Sequence, residues 1–206
     1  MILPRLQNLK IWLNPDNISV NHGDVINTWH PYGDTSISAI ASTNPNAQPK
    51  LSIVNNIKFV EFSGNQRMDL SSNVFNINTP MTIFVVTKGK DSGHIIGTST
   101  SSSPYLTYLK GLAIADNKFI VSARNNGNGA VVESNLTYEN KLEVITVKFK
   151  SRATSLVTSE ETKTDSANNL SFYNYPKSTI GASDGSNRNS VINPVTGLIG
   201  EILVHD

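Results

Sequence analysis

Apolar positions along this chain recur every second residue. Ile145, Val147 and Phe149 alternate with Thr146, Lys148 and Lys150, and Phe119, Val121 and Ala123 alternate with Ile120, Ser122 and Arg124. A period of two sends successive side chains to opposite faces, so each stretch predicts a strand with one face buried. Leu198 to Val204 alternates again around Gly200. Ile83-Phe84-Val85-Val86 is a short continuous apolar run and predicts a central strand covered on both faces. No long stretch shows the i, i+3, i+4, i+7 spacing of an amphipathic helix. Helix is expected only as a turn near Asn73–Asn76 and Glu139–Lys141.

Dense turn chemistry separates these runs. Asn-Pro occurs at Asn14-Pro15, Asn44-Pro45 and Asn193-Pro194, and Asp184-Gly185 marks a tight loop. Asn126-Gly127 and Asn128-Gly129 lie between Phe119–Arg124 and Val131–Glu133, which predicts a hairpin. Many short strands with regular turns predict an all-β sandwich or barrel, and two stacked antiparallel sheets would bury alternate residues of each strand between them. Ile11, Leu13, Phe59, Phe84, Val121, Ile145, Val147, Phe149 and Ile202 are expected in its core, and Trp12 and Trp29 are expected to pack there too. No linker interrupts the chain, so residues 1–206 are read as a single domain.

Composition narrows the function. Of the 206 residues, 38% are hydrophobic and 16% charged, which is too apolar for disorder and too polar for a membrane protein. The formal net charge is +1, so the basic excess that drives nucleic-acid binding is missing, and no nucleic-acid partner is expected. No apolar run reaches the length of a membrane span. Cysteine is absent, which excludes disulfides and thiolate chemistry. Met-Ile-Leu-Pro-Arg at the start lacks the pattern of a secretory signal. If Met1 is the natural start, incorporation into a particle is one route to the outside.

Several segments, in order, resemble a known family. They are Leu9-Lys-Ile-Trp-Leu-Asn14, Val25-Ile-Asn-Thr-Trp29, Gln48-Pro-Lys-Leu51, Phe59-Val-Glu-Phe-Ser-Gly64, Met81-Thr-Ile-Phe-Val-Val86 and Gly200-Glu-Ile-Leu-Val-His-Asp206. The series resembles the laminin G-like jelly-roll modules of the concanavalin A-like lectin/glucanase superfamily. That resemblance implies a two-sheet antiparallel jelly-roll sandwich. His30-Pro-Tyr-Gly-Asp34 departs from the Asp- and Asn-rich turn usual there, and the family's helical tail is missing. One sandwich hosts lectins, hydrolases, adhesion modules and virion parts, so function must come from the site.

Candidate chemistry is sparse. Gly181-Ala-Ser183-Asp-Gly185 matches G-x-S-x-G, but that nucleophile needs a strand–turn–helix context and no helical pattern follows. The paired-acid spacing of sandwich glycosidases is missing: Glu160 and Glu161 are adjacent and would face opposite ways on a strand, while Glu61 and Glu201 read as rim charges. His22, His30, His94 and His205 share no metal-ligand spacing and are expected at the surface or in packing. Calcium is the cation that loop oxygens would suit, at Ser183–Asn187 or at Asp16-Asn17 near Asp24, but each loop holds few acids and turn formation explains them. No cofactor and no enzyme activity are therefore expected.

Glycan binding needs rings to stack on sugar faces and planar polar groups to bond hydroxyls. Tyr105, Tyr108, Arg124, Asn126, Asn128, Asp184, Asn187 and Arg188 supply both in loops expected at a sandwich end. The expected function is a non-catalytic glycan-binding or adhesion module at an extracellular surface or in a virion, whose partner is a glycan or a neighbouring protein subunit. A virion structural or decoration protein without a sugar ligand is the alternative, and a polysaccharide hydrolase the second alternative. A homo-oligomer fits either of the first two. Should the loops not bind, the exposed face carrying Lys148 and Lys150 is next in line.

Overall fold

The structure is a computed structural model that describes residues 8–33, 35–75, 80–90, 92–99, 108–125, 128–138, 140–150, 153–166, 178–184, 191–192 and 194–206. Among these residues the strands in chain order are β1 (Leu9–Leu13), β2 (Thr28–Trp29), β3 (Ala39–Ala41), β4 (Lys50–Val54), β5 (Ile57–Ser63), β6 (Met68–Leu70), β7 (Met81–Lys90), β8 (Gly93–Ser99) and β9 (Tyr108–Ala115). They continue with β10 (Lys118–Asn125), β11 (Asn128–Glu133), β12 (Glu143–Lys150), β13 (Ala153–Val157), β14 (Thr162–Ser166), β15 (Thr179–Ile180), β16 (Ser183–Asp184), β17 (Val191–Ile192) and β18 (Thr196–His205). The described helix is two single 3₁₀ turns, Pro15–Asn17 and Pro45–Ala47. Each begins at an Asn-Pro pair. The Asn side chain accepts from the backbone N–H two residues on, and Pro supplies a φ suited to the first helical position. The turns expected near Asn73 and Lys141 are not helical in their described parts.

Two antiparallel sheets stack as a jelly-roll sandwich. The first runs β14-β13-β12-β7-β18-β5-β4, with β1 also on β18, and the second runs β11-β10-β9-β8-β15-β6-β3-β2. The inner faces meet in one core that includes Ile11, Leu13, Phe62, Ile83, Val85, Phe119, Val121, Ile145, Val147 and Ile202. Trp29 joins it with no exposed surface. Beside Phe62, Gly181 has φ +85, and a Cβ there would lie 2.1 Å from the Phe62 ring. Edge strands β14, β11 and β4 are engaged beyond their own sheet partners. The Asp165 carboxylate of β14 accepts from Val131 N of β11 at 3.0 Å, and the backbone of residues 23–26 bonds along β4.

β18 organises the first sheet. β7 flanks it along one side, while β5 pairs with its first half and β1 with its second. The change of partner coincides with a bulge: Ile199 faces Thr87 and Ile202 faces Val85, so Gly200 and Glu201 together oppose Val86. Such a bulge re-aims a side chain.

Two expectations about coverage are reversed. Phe84 is 40% exposed, and Val86 is half-buried, so β7 is central yet open on its outer face. Conversely, Ile120 and Ser122 of β10 are fully buried, so that strand is covered on both faces. Apolar content in a strand does not reveal which sheet receives a cover. β12 follows the predicted alternation, with Ile145, Val147 and Phe149 inside and Val144, Lys148 and Lys150 exposed.

Candidate functional site

The loop residues singled out from sequence fall largely outside the described residues: Tyr105, Asn126, Asn187 and Arg188 lie there entirely. Backbone register places the others. Tyr108 faces Asn125, Asn125 faces Asn128, and Arg124 faces Gly129 and Leu109. Tyr108, Arg124 and Asn128 thus gather at one end of the second sheet, where β9 starts and the β10–β11 hairpin turns. Asp184 does not join them by register: it lies in β16, which pairs with β17 in a separate two-stranded ladder.

A better-defined arrangement lies on the outer face of the first sheet. β1 buries Ile11 and Leu13, so alternation sends Trp12 outward. Trp12 is therefore not a core residue, unlike Trp29. Its ring meets Tyr32 at a centroid distance of 4.7 Å and a tilt of 56°. Its indole N–H donates to Glu201 Oε1 at 2.5 Å. Alternation from the buried Ile202 and Val204 sends Glu201 outward, and the bulge lets Ile199, three residues before Ile202, face the core as well.

The His30–Thr35 segment braces this ledge. Tyr32 N donates to Trp12 O at 2.7 Å, Trp12 N donates to Thr35 Oγ1 at 3.3 Å, and Thr35 Oγ1 donates to Tyr32 O at 2.9 Å. Asn17 Nδ2 donates to Pro31 O at 2.7 Å. Gly33, at φ +64, lies against the Trp12 ring, where its missing side chain lets the loop fold close. Both rings are half-exposed, and among the described residues no hydrogen bond occupies the Tyr32 hydroxyl or Glu201 Oε2. The departure at His30-Pro-Tyr-Gly supplies this brace. The expectation of a core Trp12 weighed the ring's large apolar area over the alternation around Ile11 and Leu13, which was the signal for an outward side chain. Tyr32 and Glu201 carried no such signal, because loop closure and strand register are tertiary.

Other candidates resolve differently. Ser183 sits in a two-residue strand facing Ile192, so the strand–turn–helix of a nucleophile elbow is not formed by the described residues around it. Glu160 and Glu161 are in the turn between β13 and β14. There Lys141 Nζ pairs with both Glu160 and the buried Glu143, and Glu161 accepts from Tyr138 Oη at 3.1 Å and Asn135 N at 3.0 Å. These acids fasten a turn. His22 Nδ1 accepts from Ile53 N at 3.1 Å, and Asp24 accepts from Asn21 N at 3.0 Å. His94 is fully buried, and burial lowers its pKa to about 4 against an opposing backbone bond with Gly97. Among the described residues no three His, Asp or Glu side chains cluster as metal ligands.

No protein-family model matches the chain, and no curated protein matches it in sequence. Solved structures do match in shape. The CBM40 of a Ruminococcus gnavus IT-sialidase, solved also with α2,3-sialyllactose bound, aligns over 71% of this chain at 13% identity and TM-score 0.57, covering 89% of its own length unbound. A Trypanosoma rangeli sialidase in complex with the inhibitor DANA aligns over 96% of this chain at 11% identity and TM-score 0.61, but the match spans only 30% of that protein. The binding domain of botulinum neurotoxin DC, in complex with rat synaptotagmin II, aligns over 96% at 12% identity and TM-score 0.60, across 48% of that chain. At these identities the likeness establishes the β-sandwich jelly-roll fold.

Proposed function

We propose that this chain is a non-catalytic glycan-binding module, with Trp12, Tyr32 and Glu201 as its sugar contact. The observation that carries this reading is the outward, half-exposed Trp12 ring, packed on Tyr32 and held by the Glu201 carboxylate. A buried Trp would contribute packing, as Trp29 does. A ring fixed on a rigid sheet and open to solvent offers a flat apolar surface at little entropy cost on binding. The C–H face of a pyranose covers such a ring, while hydroxyls donate to Glu201 Oε2 and bond the Tyr32 hydroxyl. Support also comes from structural neighbours, one of them solved with sialyllactose, and from the laminin G-like resemblance. Tyr108, Arg124 and Asn128, which backbone register gathers at one end of the second sheet, enter the test as a separate arm.

A glycan array probed with the purified chain provides the test, followed by titration of the best sugar by calorimetry, which reads binding in every variant. Trp12→Ala and Tyr32→Ala should each weaken binding about tenfold or more while leaving the fold intact, the range expected for losing a stacked ring. Binding should change little with salt, since the contact is not between charges. Wild-type affinity in Trp12→Ala combined with loss in Arg124→Ala would move the site to the second sheet. A blank array, or hydrolysis of an arrayed glycan, would overturn the reading.

A further inference from the structure

The outer face of the first sheet carries a second feature that sugar recognition does not use. Phe84 is 40% exposed and Val144 60%. Register makes them parts of one patch: Phe84 pairs across strands with Leu203, and Val86 with Val144. Directly opposed residues sit about 5 Å apart, so side chains of β18, β7 and β12 touch as one apolar area. Leu142, 48% exposed, precedes β12 beside it. Singly scattered apolar residues are ordinary on a surface, whereas a contiguous apolar area with a polar rim marks an interaction site.

Charge identifies the occupant. Lys88 lies two residues beyond Val86 on β7, and Lys148 and Lys150 continue the outward row of Val144 and Thr146 on β12. Ion pairs among the described residues engage Lys10, Arg67, Lys118 and Lys141, and none of these three. Glu201, the acid that β18 contributes to this face, is already bonded by Trp12. A second copy docked face to face would set lysines against lysines. A sugar stacks on rings, and apart from Phe84 this patch offers the aliphatic carbons of Val86, Val144 and Leu203. We propose that this face docks a protein partner that presents an acidic, apolar strip, with its carboxylates on Lys88, Lys148 and Lys150 and its apolar side chains over Phe84 and Val144. The ladders on both sides of β7 and β12 hold the surface in place before binding, so little ordering cost falls on this side of the contact.

The test uses the full chain, isotope-labelled, with two short peptides as probes: one alternating glutamate and leucine, the other glutamine and leucine. The acidic peptide should shift amides of β7, β12 and β18 and bind about tenfold more tightly than the neutral one at low salt, with the difference shrinking as salt rises. Lys148→Glu with Lys150→Glu should remove most of that preference. Phe84→Ser should abolish binding of both peptides, and if that variant does not fold, Val144→Ser, at a more exposed site, gives the same readout. The sugar titration should be unchanged in Val144→Ser, which separates this proposal from the glycan reading. Equal binding of the two peptides, or no shift on this face at millimolar peptide, would overturn it. So would a concentration-dependent dimer in sedimentation, or binding to vesicles of anionic phospholipid, that Val144→Ser removes.

Discussion

His94 lies in β8 at 1% exposure, its Nε2 without a hydrogen-bond partner among the described residues, and burial lowers its pKa from 6.5 to about 4. The folded protein thus keeps the ring neutral while the unfolded chain protonates it near 6.5. Below that pH the unfolded state gains a proton that the folded state refuses. The contribution of His94 is intact above pH 6.5, falls as pH drops towards 4, and is flat below. At about 1.4 kcal/mol per unit the loss across this window is about 3 kcal/mol. Urea unfolding at intervals between pH 7 and pH 4 should therefore show stability falling, and His94→Gln should flatten that fall by up to one proton's worth. An identical slope in the variant would contradict this. Sequence gave His94 only as a surface or packing residue, because burial on the outer side of the second sheet has no signature in a two-residue period.

Between β13 and β14, a turn is pinned by side chains drawn from three segments. Thr158 Oγ1 accepts from Glu160 N and Glu161 N, and it is 2.8 Å from Tyr138 Oη. Partial desolvation and the Glu161 carboxylate raise the Tyr138 pKa, so that hydroxyl stays a donor. Glu143, buried at the start of β12, accepts from Ser159 Oγ at 2.7 Å and pairs with Lys141 at 3.3 Å. Lys141 is partly exposed, which weakens its pull, yet removing it leaves a buried carboxylate without a counter-charge. Lys141→Ala should cost about 1–2 kcal/mol, and adding Glu143→Gln should recover part of that because the uncompensated charge is gone. Denaturant midpoints at unchanged m-value provide the measure. The same element shows what alternation can and cannot reveal. β12 obeyed its pattern, while β7 and β10 exchanged coverage, since the cover over a sheet comes from elsewhere in the chain.

Across the whole molecule, the two ends of the described chain meet inside one sheet. Leu9 faces His205 and Leu13 faces Ile202, while β18 also holds β5 and β7. Removing residues 196–206 therefore deletes a central strand rather than a tail. A chain ending at residue 195 should show no cooperative unfolding transition, and a sharp transition of wild-type size would contradict this topology. Refolding of the full chain should take milliseconds to seconds, as expected where pairings join residues distant in sequence.

The sequence by itself determined the fold class and much of the inner core. Period-two alternation with Asn-Pro and Asn-Gly turns left an all-β sandwich or barrel, the resemblance to laminin G-like modules pointed to the jelly-roll sandwich, and Ile11, Leu13, Val121, Ile145, Val147, Phe149 and Ile202 are buried as read. Tertiary structure alone decided which outer faces stay open and what gathers on them. Trp12, Tyr32 and Glu201 come from a strand, a loop and a bulge far apart in the chain, and Phe84 meets Leu203 only through the register of β7 on β18. The physical reason is range: alternation and turn chemistry act between neighbours, whereas coverage, register shifts and loop closure depend on contacts made across the folded sandwich.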